Sequence, residues 1–127
     1  MKDATVLIIE DEIPLEQVVK RKLEDFGLNC VSARSVDQAM DLLSEISVGA
    51  IWLDHYLLGN QDGLDFLTKF KQHKKYKKIP IFVVSNTASD EKIKSYIAFG
   101  VSKYYVKSNY TLKQITKDFM KAIRNNE

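Results

Sequence analysis

Five short apolar runs, mostly β-branched or aromatic, recur along the chain, and the segment after each carries apolar residues at helical spacing. The runs are Thr5 to Ile9, Asn29 to Ser32, Ala50 to Leu53, Ile81 to Val84 and Lys103 to Val106. Strands this short and this apolar read as buried parallel strands, covered on both faces. The intervening stripes supply the cover. Leu15, Val18, Val19, Leu23 and Phe26 form the first, with Pro14 in the opening turn and Gly27 at the end. Val36, Ala39, Met40, Leu43 and Ile46 form the second, with Ser35 as N-cap. Leu64, Leu67 and Phe70 make the third, and Ile93, Tyr96 and Ile97 the fourth, capped by Ser89 or Asp90. Leu112, Ile115, Phe119, Ala122 and Ile123 make the fifth, capped by Asn109 or Thr111. Strands and helices in alternation predict an α/β domain, a parallel sheet with helices on both faces and all five stripes turned inward. At 127 residues the chain fits one such domain.

Composition narrows the function. A net charge of +2 argues against direct nucleic-acid binding. Lys69, Lys71, Lys74, Lys75, Lys77 and Lys78 cluster locally, which reads as a solvated helix end, with contact to an acidic partner as the alternative. No apolar run is long enough for a membrane span and the start lacks a cleavage-site pattern, so a cytoplasmic location without membrane association is expected. Cys30 stands alone and reads as a small core residue.

In a sheet of this kind ligands bind beyond the carboxyl ends of the strands. The first run ends in Glu10-Asp11-Glu12, the third in Asp54, the fourth in Ser85 and the fifth in Lys107. An acidic triplet alone is common on surfaces; convergence of four strand ends changes its meaning. Three neighbouring carboxylates resist ionisation until something positive joins them, and a hard divalent cation such as Mg²⁺ suits oxygen ligands. A metal and Lys107 together could neutralise phosphoryl oxygens while Asp54 attacks phosphorus, and the Ser85 hydroxyl could donate to an attached phosphoryl group.

The segments Val6-Leu7-Ile8-Ile9-Glu10-Asp11-Glu12, Trp52-Leu53-Asp54, Asp62-Gly63-Leu64, Val83-Val84-Ser85 and Tyr104-Tyr105-Val106-Lys107, with Phe99-Gly100, resemble the signature of response-regulator receiver domains. The match runs in order over essentially the whole chain. The resemblance implies a flavodoxin-like doubly wound sheet of five parallel strands in order 2-1-3-4-5 with five helices, residues 1–127 forming one receiver domain without an output domain. It makes Asp54 the phosphoacceptor, Asp11 a direct Mg²⁺ ligand, Glu10 a ligand through water, and the Tyr56 main-chain carbonyl a further ligand. Ser85 becomes the switch hydroxyl, Lys107 the phosphate-contacting lysine, and Tyr104 the aromatic whose rotamer follows phosphorylation. Glu12 is left to the start of the first helix. The implied protein is a phosphorelay switch, not an enzyme with its own substrate. Its implied partners are a histidine kinase or histidine phosphotransfer protein upstream and another protein downstream, with room for an activation-linked dimer. A degenerate receiver acting as a phosphorylation-independent interaction module is the alternative.

Several residues depart from the family pattern. Leu58 stands where the family usually has proline, and the stretch from Asp54 to Gly63 is one residue longer, with Gly59 and Asn60 suited to a turn. Asn86 replaces a smaller residue. Ser108 replaces the usual proline after Lys107, and a cis bond there would cost about 3 kcal/mol, so a trans bond is expected. His55 follows Asp54 but should point away from it, because successive strand residues face opposite sides. His73 reads as solvated and Trp52 as core, and of Tyr104 and Tyr105 one should be buried and one nearer the surface. A haloacid-dehalogenase-type phosphatase would want a second Asp where Tyr56 stands. A flavodoxin-like carrier needs a phosphate-cradling first loop, which Glu10-Asp11-Glu12 would oppose. A cobalamin-binding domain would need a His-centred motif that this chain lacks.

Overall fold

The computed structural model describes residues 5–86 and 89–125. The elements follow in the order β1 (Thr5–Ile9), α1 (Ile13–Asp25), β2 (Asn29–Ala33), α2 (Val36–Glu45), β3 (Ala50–Leu53), α3 (Gly63–Phe70), β4 (Ile81–Ser85), α4 (Asp90–Ala98), β5 (Lys103–Val106) and α5 (Leu112–Asn125). Two short 3₁₀ turns, Lys74–Tyr76 and Lys107–Asn109, sit in the connections. The strands form one parallel sheet in order β2-β1-β3-β4-β5. This is the flavodoxin-like arrangement, and its winding reverses between β1 and β3.

Alternation along the strands divides the core in two. Leu7, Ile9, Ile51, Leu53, Ile81 and Val83 face α2, α3 and α4, where they meet Ala39, Leu43, Phe66, Leu67, Phe70 and Tyr96. Val6, Ile8, Trp52, Phe82, Val84 and Tyr105 face α1 and α5 and pack on Val19, Leu23, Ile115, Phe119 and Ile123. Cys30 is buried in this second layer, which pushes its thiol up to about 12 and leaves it unreactive. Trp52 lies against Phe119, ring centroids 5.7 Å apart.

Three apolar residues expected inside are not. Val18 is 48% exposed, Phe26 47% and Ile97 60%. Leu15, Val19 and Leu23 fall in one i, i+4 row that meets the sheet, and Val18 stands a full 100° step outside it. Phe26 is the C-cap, past the last turn, and Ile97 is displaced from buried Tyr96 by the same single step. The caps fall where short polar side chains reach N–H groups. Ser35 accepts from Gln38, and Ser89 rather than Asp90 accepts from Lys92. Thr111 rather than Asn109 exchanges bonds with Gln114, and Asp62 and Asp65 form a capping box on α3. Gly27 has φ +88°, as the end of α1 requires.

Candidate functional site

The last rungs of the ladder place the acidic groups. Beyond β1 the Glu10 amide still donates to the Ala33 carbonyl (3.0 Å), and beyond β3 the Asp54 amide donates to the Ile9 carbonyl (3.0 Å). Each side chain therefore emerges at the carboxyl edge, on either side of the point where the winding reverses. Carboxylate oxygens of Glu10, Asp11 and Asp54 lie within 4.8 Å of one another. Glu10 is fully buried and Asp54 nearly so. Lys107, immediately after β5, reaches both: its Nζ is 3.4 Å from Glu10 Oε1 and 3.6 Å from Asp54 Oδ1.

Burial and crowding shape the electrostatics. Glu10 is pushed up to about 7, first by burial and then by Asp54, with Lys107 and the Glu12 N–H (3.2 Å from Oε2) acting against the rise. Asp54 is also raised, by burial first, while Lys107 and a hydrogen bond from Glu10 pull it down. Burial thus works against the charged forms of two adjacent carboxyl groups, with one lysine beside them. The pocket is short of positive charge, and its donors are all hard oxygens. That set fits Mg²⁺.

Ser85 ends β4 fully buried, in register with Val106, and Tyr104 pairs with Val83 one strand over. Tyr104 is half-buried, with its ring 5.5 Å from Tyr96; burial raises its hydroxyl, and a hydrogen bond with Ser85 lowers it. Tyr105 is the buried member of the pair and donates to Asp118 (2.6 Å). Tyr56 follows two residues after Asp54 with its ring exposed. Glu12 is the N-cap of α1, contributing its backbone and no side-chain bond. His73 is exposed.

The departures have local explanations. The Leu58 amide donates to the Arg34 carbonyl (2.9 Å), a bond no proline could make. The Arg34 guanidinium donates to the Asp11 carbonyl (3.3 Å), so this residue ties three strand-end loops together. Gly59, at φ +95°, turns the loop after Asp54 in a conformation that strains any residue with a side chain. No cis peptide bond occurs among the described residues, so Lys107–Ser108 is trans. His55 turns away from the carboxylates, its ring held by Tyr96 Oη (2.6 Å) and Lys92 Nζ (3.1 Å). Neither partner is announced by any local pattern, since both lie on α4, far along the chain from His55.

The family model for the response regulator receiver domain matches residues 6–119. The chain belongs to the response-regulator receiver family. A putative NtrX-like response regulator of Rickettsia conorii is 33% identical over 108 residues, covering 84% of this chain and 22% of that protein. The transcriptional regulatory protein YvrH of Bacillus subtilis is 31% identical, covering 84% of this chain and 44% of its own length. The receiver thus spans less than half of these relatives. In fold it is similar to the chemotaxis protein CheY4 of Vibrio cholerae, with TM-score 0.83, 24% identity and coverage of 94% and 98% of the two chains. A CheY-like receiver of Methanospirillum hungatei superposes with TM-score 0.86 at 18% identity, covering 98% and 96%. Receiver domains are signalling modules of two-component systems, typically bind Mg²⁺ in an acidic pocket, and serve response regulators that meet histidine kinases and downstream effectors. Among the described residues of this receiver, no helix is long and apolar enough to cross a membrane.

Proposed function

We propose that this receiver is a phosphoacceptor switch in which Asp54 takes a phosphoryl group from a phosphohistidine of a kinase or phosphotransfer protein. The observation that carries this reading is the placement of Lys107 between two buried carboxylates, Glu10 and Asp54, at the sheet's reversal point. One Asp54 oxygen forms the bond to phosphorus as the phosphorus–nitrogen bond breaks, and the imidazole leaves as a neutral ring, the proton already on its other nitrogen staying with it. Asp11, Asp54 and the Tyr56 carbonyl would hold Mg²⁺ directly, with Glu10 acting through water. The ion, when bound, supplies charge neutralisation at the phosphoryl oxygens. Lys107, already within 3.6 Å of Asp54, exchanges its carboxylate contact for a phosphoryl oxygen. Ser85 donates to another, and Tyr104, bonded to Ser85 in this structure, moves with it. The phosphoryl group biases the two states only through these differential contacts. The output is a protein contact or onward phosphoryl relay.

Adding beryllofluoride and Mg²⁺, which together imitate the acyl phosphate, tests the switch. Amide resonances of Ser85, Tyr104, α4 and α5 are expected to shift together with that of Asp54. Shifts confined to the residues around Asp54, or none at all, would favour the phosphorylation-independent interaction module.

A further inference from the structure

His55 is 2% exposed and carries two polar nitrogens, each with a partner on α4. An ammonium group has no lone pair, so Lys92 donates to Nε2 (3.1 Å); Nδ1 then bears the proton and donates to Tyr96 Oη (2.6 Å). Lys92 and Tyr96 are four residues apart on one face of α4. Tyr96 is itself fully buried, its ring edge-on to His55 and tilted against Tyr104. The other end of the contact is the loop that follows Asp54. The His55 carbonyl accepts from the Gly63 amide (2.8 Å), closing that loop, and the Tyr96 hydroxyl covers Gly63 so closely that a Cβ there would collide with it. Lys92 Nζ also lies 5.4 Å from the centre of the Tyr56 ring, and Asp62 Oδ2 is 3.7 Å from Nε2. Both ends of the loop therefore press on the same face of α4.

We infer that His55 is a positioning residue which, with Tyr96 and Lys92, clasps α4 to the phosphoacceptor loop, so that displacement of α4 and opening of the loop are one event. The reason is the cost of separation: drawing α4 away strands two imidazole nitrogens and a tyrosine hydroxyl in a buried setting. Apolar packing of α4 alone would impose no such link. The clasp is a property of the resting fold and does not depend on phosphorylation of Asp54.

The test is amide hydrogen exchange on the metal-free, unphosphorylated protein, comparing the native chain with Tyr96→Phe, His55→Phe and the double variant. Tyr96→Phe keeps the ring and removes the bond to Nδ1, whereas His55→Phe puts a larger apolar ring in place and removes both bonds to α4. Exchange of the α4 amides and of the Gly63 amide is expected to quicken together by about tenfold, with α2 and α5 unchanged. The double variant should exchange no faster than His55→Phe, because that substitution already removes the Tyr96 bond. Should His55→Phe fail to fold, His55→Leu takes its place in the comparison. Native exchange rates in Tyr96→Phe, quickening of α4 without Gly63, or additive effects in the double variant would each overturn the clasp.

Discussion

Lys107→Met loses about 3 kcal/mol of stability at pH 8 without divalent metal, and recovers most of it at pH 5 or on addition of Mg²⁺. Lys107 is the cation within reach of both Glu10 and Asp54, and its side chain is only 17% exposed. Without it, two carboxyl groups remain in a buried pocket whose main source of relief is protonation. Lys107 holds Glu10 down to about 7 in the native protein, so without it Glu10 rises further, and at pH 8 the variant must either take up a proton or carry two unpaired charges. At pH 5 Glu10 is neutral, and the buried Glu10–Asp54 pair carries one charge at most. A divalent ion replaces the missing cation directly. Denaturant unfolding at both pH values, with and without Mg²⁺, reads the effect. An equal deficit at pH 5 and pH 8 would mean that Lys107 matters for packing instead of charge.

Glu10→Gln is expected to move stability the other way. Native Glu10 is raised from 4.5 to about 7 by burial and by Asp54. Between those values the folded chain holds a proton that the unfolded chain has released, so the stability it contributes is complete below about 4.5 and lost as pH climbs through 7. Glutamine is neutral throughout and carries no such loss. The metal-free variant should therefore match the native protein near pH 5 and exceed it at pH 8 by roughly 2 kcal/mol, about 5 °C in Tm. His55 acts with the opposite sign: burial lowers it, so its stability is lost as pH falls below 6.5. Both chains share that term, and their difference isolates Glu10. With Mg²⁺ the order should reverse, since glutamine weakens the ion's site. Parallel stability curves across the range would contradict the raised carboxyl.

The layers and the strand-end residues were legible because both are local signals. An apolar run interrupted by Glu10, Asp54, Ser85 or Lys107 marks the edge of a buried sheet, and parallel strands put all those edges on one side. The capping box of Asp62 and Asp65 was local too and could have been read from its spacing. Helix azimuth is less local. Counting apolar residues on α1 and α4 did not show that Val18 and Ile97 lie one step outside the buried row. The least legible contacts join distant segments. His55 meets Tyr96 and Lys92 across separations of 41 and 37 residues, fixed by how α4 lies over the end of β3. The Leu58–Arg34 bond is made by backbone atoms, so no side-chain pattern announces it; only the absence of proline at that position permits it.

The phosphoacceptor role of Asp54 is tested most directly by intact-protein mass after incubation with acetyl phosphate, and then with a phosphorylated histidine donor, in Mg²⁺ or in chelator. The native chain should gain one phosphoryl group only when Mg²⁺ is present, and Asp54→Asn should gain none. Slow transfer from acetyl phosphate alone would fit a pocket narrowed by Asn86. Phosphoryl addition that survives in Asp54→Asn, or a native chain that takes none from either donor, would contradict the account.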